Sequence, residues 1–204
     1  MNIVIFGASG KVGRLATNEA LKRGHHVTAF VHSTSLQPAE NLEIVQGDVK
    51  SVENVQTALS GADVVISALG SWGTPSKDIL GSAMSVIVPL MQGLGINRIV
   101  SLTGNVAFTP HQKPSMAMKI ARLGLSLVGS KILRDGEKHL ALLDQSGLNW
   151  TALRSPVMTG SARRTYTLTE QAGFHNFVPR MAVAIALVDI AESSEWNKQA
   201  PFIH

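Results

Sequence analysis

The run Ile3-Val4-Ile5-Phe6 enters the turn Gly7-Ala8-Ser9-Gly10-Lys11-Val12-Gly13 and leaves it into Arg14 to Arg23, where Leu15, Ala16, Ala20 and Leu21 recur at helical spacing. A continuous apolar run of this length reads as a strand covered on both faces, and Gly24 stands where a helix-ending glycine belongs. Three glycines three apart at a strand-to-helix junction constrain this chain more than any other feature. Gly7 permits a sharp turn out of the strand, and Gly10 lets backbone N–H groups approach a pyrophosphate with no Cβ in the way. Gly13 lets the helix lie close against the sheet. The helix start adds unsatisfied N–H donors and the positive end of the helix dipole. Ser9, Lys11 and Val12 join the three glycines as candidate dinucleotide contacts.

The same alternation continues over the first hundred residues. Strands are expected at Val27 to Val31, Leu42 to Val45, Val64 to Ala68 and Arg98 to Leu102, with helices at Val52 to Leu59 and Ser82 to Leu94 between them. Short connections between alternating strands and helices imply right-handed βαβ units, hence an α/β, doubly wound parallel sheet. Beyond residue 104, Pro110 to Pro114 reads as a loop, Ser115 to Leu133 as irregular helix and Glu137 to Gln145 as a firmer one. Trp150 to Arg154 and Thr165 to Leu168 read as strands, Met181 to Glu192 as a helix, and Phe202-Ile203 as a strand-like tail. No repeat or linker divides the 204 residues, so a single domain is expected.

Cysteine is absent, which excludes disulfides, zinc–thiolate sites, iron–sulfur clusters and thiol nucleophiles together. No metal site is expected. The N-terminus lacks the basic start of a signal peptide, and the eight apolar residues from Met181 to Val188 are too few to cross a bilayer. A cytoplasmic protein without a membrane partner is the expectation.

The expected second strand ends Phe30-Val31-His32-Ser33-Thr34-Ser35, with no acid before Glu40. A carboxylate there would select NAD; a 2′-phosphate wants donors and positive charge, which His32, Ser33, Ser35, Lys11 and Arg14 offer. The cofactor expected is NADP in preference to NAD, with His32 readable equally as a plain surface residue. Asp48 and Val49 follow the third strand. Asp48 suits the exocyclic amine of adenine, or the N-cap of the next helix. Ala68, Leu69 and Gly70 end the fourth strand and Thr103 the fifth, at the carboxyl edge where open α/β sheets bind ligands.

Gly7-Ala8-Ser9-Gly10-Lys11-Val12-Gly13 resembles the extended and atypical short-chain dehydrogenase/reductases, whose chains open on this spacing. Several stretches are similar to the flavin reductase/biliverdin-IXβ reductase group within them. They are Val27 to His32, the Ser146-Gly147-Leu148-Asn149-Trp150-Thr151 run, Arg154-Ser155-Pro156, and Tyr166-Thr167-Leu168-Thr169. The resemblance implies a Rossmann fold, an adenine contact at Asp48 and a catalytic contribution from Thr103. It also shows departures. Ordinary members use Tyr-x-x-x-Lys, whereas the single tyrosine here, Tyr166, is followed four residues on by Glu170 and reads as a strand residue with an exposed hydroxyl. The mammalian members carry a serine where this chain has Gly104 and a histidine where it has Val157, which counts against biliverdin. A flavin-like or quinone-like acceptor needs little acid help, because its delocalised anion can take a proton from water.

Residues 98–138 hold seven Lys and Arg against two acids, so +5 of charge falls in one stretch while the whole chain carries +4. That stretch also holds Met116, Met118, Ile120 and Leu123. Residues 105–135 are readable as a substrate-side flap over an anionic acceptor, or as an amphipathic helix with a solvated basic face. Nucleic acid is not an expected partner, since no recognition motif or interleaved aromatics accompany the charge. The expected function is an NAD(P)H-dependent oxidoreductase with a small-molecule acceptor, the alternative a non-catalytic NAD(P)-sensing regulator. Monomer and homodimer both fit.

Overall fold

In the strand β1 (Asn2–Phe6), successive side chains enter two different cores. Ile3 and Ile5 meet Val12, Ala16 and Ala20 of α1 (Lys11–Lys22) together with Val183 and Leu187 of α5 (Arg180–Glu192). Val4 and Phe6 face the other way, toward α2 (Val52–Leu59), α3 (Ile79–Leu94) and α4 (Met116–Gln145). A strand alternates its side chains across the sheet, so two apolar faces demand two helical layers. The computed structural model describes residues 1–33, 36–71, 76–112, 116–171 and 177–204.

The remaining strands are β2 (His26–Val31), β3 (Leu42–Gln46), β4 (Val64–Ser67), β5 (Arg98–Gly104), β6 (Asn149–Ser155), β7 (Val157–Thr159), β8 (Leu168–Thr169), β9 (Phe177–Pro179) and β10 (Phe202–Ile203). The main sheet runs β3-β2-β1-β4-β5-β6-β10-β8, parallel except for β8. Chain order reverses direction between β1 and β4, and the doubly wound Rossmann sheet places its ligand crevice at that switch point.

Two expectations need correction. The strand expected at Thr165 to Leu168 forms instead at Leu168–Thr169, because its partner β10 offers only Phe202 and Ile203 for antiparallel pairing. Ser115 lies outside the described residues, and residues 116–145, expected as a loose helix and then a firm one, form α4 with a break. Gly129 has non-helical angles of φ −146° and ψ 36° inside it.

One core residue sets a pH limit. His139 of α4 is fully buried, and neither ring nitrogen has a hydrogen-bond partner among the described residues. Burial pushes its imidazole down from 6.5 to about 4. An unfolded chain therefore binds a proton between those values that the folded chain refuses. Stability is held above about pH 6.5 and is lost as pH falls toward 4, by about 3 kcal/mol in all. His139→Leu is expected to flatten this acid limb and to raise stability at neutral pH, because two unsatisfied polar atoms leave the core. Urea unfolding across pH 4.5 to 7.5 measures both effects.

Candidate dinucleotide-binding site

Gly7 turns the chain at φ +76°, and a Cβ on it would lie 3.0 Å from the backbone of Ala68 and Leu69. The ends of β1 and β4 thus touch backbone to backbone at the switch point. Gly10 caps α1 without a side-chain hydrogen bond, its N–H donating to the Gly7 carbonyl at 2.9 Å. The first turn of α1 therefore keeps its N–H groups for an external acceptor. A Cβ on Gly13 would fall 2.0 Å from the Gly7 oxygen, so the helix can approach the turn this closely only over a glycine. Arg14 steadies the turn by donating from Nε to the Ser9 carbonyl at 3.0 Å. This cradle fits a dinucleotide diphosphate.

The other candidates divide by exposure. Lys11, Arg14, His32 and Ser33 are exposed, while Ser35 lies outside the described residues. Val12 and Val49 are buried in the two cores, so each can offer a ligand only its backbone. Asp48 is exposed; its carboxylate accepts from the Lys50 N–H at 2.9 Å, and its own N–H donates to Asn54 Oδ1 at 3.1 Å. The N-cap alternative for Asp48 falls away, because Ser51 Oγ accepts the Asn54 N–H and caps α2. Ala68 and Leu69 are half-buried beyond β4, and Gly70 is exposed.

Thr103 sits at the end of β5 in register with Arg154 of β6. Its hydroxyl is buried without a hydrogen-bond partner among the described residues, and the Cβ position of Gly136 on α4 is 3.3 Å away. The hydroxyl is thus enclosed under α4, away from solvent. Tyr166 also departs from expectation, since its hydroxyl donates to Asp189 and is not free. Burial and that carboxylate push the phenol's pKa up. Arg23, the C-cap of α1, holds the same Asp189 at 2.7 Å and Glu19 at 3.0 Å. The tyrosine therefore belongs to a clamp at the end of α1 opposite the glycine turn.

Two further groups gave little sign of themselves in the sequence. Asp135, buried on α4, accepts from the backbone N–H of Leu80 at 3.0 Å and Gly81 at 2.7 Å, and from Ser71 Oγ at 2.5 Å. It caps α3 from another helix. The only signal was an acid on the side of α4 that also carries His139 and Leu143. The second group is Val157 and Phe177, paired in register in the small parallel sheet β7–β9 and both more than 60% exposed.

The basic stretch resolves into parts. Arg98 is turned inward, donating to the carbonyls of Asn149 and Ile190 and to Thr151 Oγ1. Arg122 is paired with Glu137 at 2.8 Å and lies over the Phe108 ring. Lys119, Lys131, Arg134 and Lys138 are exposed, and Lys113 lies outside the described residues.

A glycine cradle at the switch point of a doubly wound sheet defines a dinucleotide-binding protein. Residues 7–194 match the NAD(P)H-binding family, and the chain belongs to it. It is 39% identical to the uncharacterized protein YwnB of Bacillus subtilis, over 98% of this chain and 96% of that one. Against the chloroplast protein TIC 62 of Arabidopsis thaliana the match is 32% identical over 39% of this chain, and spans only 15% of that longer protein. The fold is similar to a short-chain dehydrogenase/reductase of Veillonella parvula in complex with NADP (TM-score 0.81, 19% identity, 99% of this chain and 93% of that one). It is similar also to ChuY, an anaerobilin reductase of Escherichia coli O157:H7 (TM-score 0.77, 21% identity, 100% and 96%). Among the described residues no helix is long and apolar enough to cross a membrane.

Proposed function

We propose that the chain is an NADPH-dependent reductase that passes hydride to a flat, conjugated acceptor of the flavin or quinone class. The observation that carries this reading is a pair of exposed apolar faces at the carboxyl end of the sheet. Met116, Ile120 and Leu123 fall at i, i+4 and i+7 on the first half of α4, each at least 65% exposed. Val157 and Phe177 form the other face. One follows β5 in the chain and the other follows β6, the two strands next in order beyond β4. Exposed apolar patches next to a ligand crevice mark binding surfaces.

When bound, the reduced nicotinamide supplies the hydride. The chain's share is to hold and orient. The Gly7–Gly13 turn and the start of α1 take the diphosphate, and Asp48 accepts from the adenine amine. Lys11, Arg14, His32 and Ser33 favour a 2′-phosphate, and Ala68, Leu69 and Gly70 line the way to the nicotinamide. With Tyr166 committed to Asp189 and the Thr103 hydroxyl enclosed, no side chain is assigned a proton; the acceptor takes it from water.

The test is steady-state oxidation of NADPH with FMN, FAD, menadione and biliverdin. Ile120→Asp and Phe177→Asp are each expected to raise the acceptor KM about tenfold, the scale of losing one buried side chain from a contact, with NADPH affinity unchanged. Equal KM values in wild type and variants would sink the reading. Tight NADPH binding without turnover of any acceptor would favour the sensing alternative, to which the enclosed Thr103 hydroxyl lends support.

A further inference from the structure

Away from the β1–β4 crevice, a groove of about 230 Å³ runs along β6, between Asp144 at the end of α4 and the segment 196–201. None of the turn, Asp48 or Ala68–Gly70 lines it. Its floor is Arg154, only 4% exposed and with no carboxylate partner among the described residues. The guanidinium lies over the Phe202 ring at 3.7 Å, donating from Nε to the Ala200 carbonyl at 2.8 Å and from Nη1 to Gln112 Oε1. Its Nη2 makes no hydrogen bond among the described residues and is not shut off from solvent, so it opens on the groove. A buried cation with a free nitrogen and no carboxylate paired to it is costly unless an anion completes it.

The wall opposite is built under strain. Trp196 and Lys198 both adopt left-handed backbone, at φ +59° and +56°, in a stretch without glycine. Such conformations are uncommon outside glycine and gather where a side chain must be aimed. Here they are pinned by the Lys198 N–H donating to the Trp150 carbonyl at 2.7 Å and by Thr151 Oγ1 donating to the Trp196 carbonyl at 2.8 Å. Lys198 and Trp196 line the same groove as the guanidinium, with Trp150, largely buried in the core, at its edge. Two acids temper the charge. Asp144 is paired with His111 at 3.1 Å, and Glu170 is exposed at the rim.

We propose that this groove is a second binding site, for a small planar monocarboxylate. The free Nη2 offers a charged donor to a carboxylate, the Trp196 indole matches a flat apolar body, and Asp144 with Glu170 disfavour a dianion. The proposal stands apart from the reductase reading. Calorimetric titration with benzoate, benzamide and inorganic phosphate tests it, in the presence of saturating NADPH. Benzoate is expected to bind once per chain, with benzamide and phosphate at least about tenfold weaker. Arg154→Lys, which loses the free Nη2 donor, and Lys198→Asn, which loses the charge but tolerates left-handed backbone, are each expected to weaken benzoate about tenfold. NADPH affinity is unchanged in Lys198→Asn. Equal binding of benzamide, equal binding by Lys198→Asn, or no saturable binding of benzoate would each overturn it. Should Arg154→Lys fail to fold, the exposed Lys198 carries the test alone.

Discussion

Gly13→Ala is expected to destabilise the protein by about 3 kcal/mol and to lower NADPH affinity about a hundredfold. The new Cβ would meet the Gly7 oxygen at 2.0 Å, the Gly7 carbonyl carbon at 2.8 Å and the Ala8 Cα at 2.9 Å. All three are backbone atoms, so no rotamer change relieves the clash. Helix α1 must slide outward, drawing Val12, Ala16 and Ala20 away from Ile3 and Ile5 and its first N–H groups away from the diphosphate position. In a chain of this size the loss corresponds to about 10 °C in melting temperature. Gly24→Ala is the control. Nothing lies within 4 Å of a Cβ there, and only its φ of +80° resists the substitution. Roughly 1 kcal/mol is expected, with cofactor affinity intact. Scanning calorimetry and NADPH titration of the two variants separate steric closure of the cradle from ordinary backbone strain.

Asp135→Ala is expected to cost about as much by a different route. The α3 N-cap, Asp78, bonds to the hydroxyls of Ser76 and Ser82 and does not cap the helix backbone. The first turn of α3 takes its acceptor from Asp135 instead. Without that carboxylate the buried N–H groups of Leu80 and Gly81 lose their acceptor, at roughly 1 to 3 kcal/mol each. Asp135→Asn keeps one acceptor oxygen and is expected to lose about half as much. Hydrogen exchange at the Leu80 and Gly81 amides should accelerate in both variants. Because Ser71 stands one residue beyond Gly70, NADPH affinity should fall in parallel.

What the residue order revealed follows from how local each feature is. The Gly7–Gly13 turn was legible because strand, turn and helix are contiguous and each glycine has a separate steric duty. Helix α2 was legible to the residue because Ser51 and Gly61 bracket a short periodic run. Sheet β7–β9 was not, since Val157 and Phe177 are twenty residues apart and each strand is three residues long. Asp135 was silent for a related reason: the donors it serves belong to a helix more than fifty positions earlier. The basic stretch misled in part, because charge summed along the chain ignores that Arg98 turns inward and Arg122 is already paired with Glu137.

Hydride transfer itself is the central claim, and a single-turnover experiment tests it most directly. NADPH carrying deuterium at either face of nicotinamide C4 is mixed anaerobically with the protein and FMN or menadione. The account predicts loss of the reduced-nicotinamide absorbance with stoichiometric reduction of the acceptor, and a primary isotope effect for one deuterated face only. Saturable NADPH binding with no oxidation by either acceptor, or oxidation at the rate seen without protein, would contradict it.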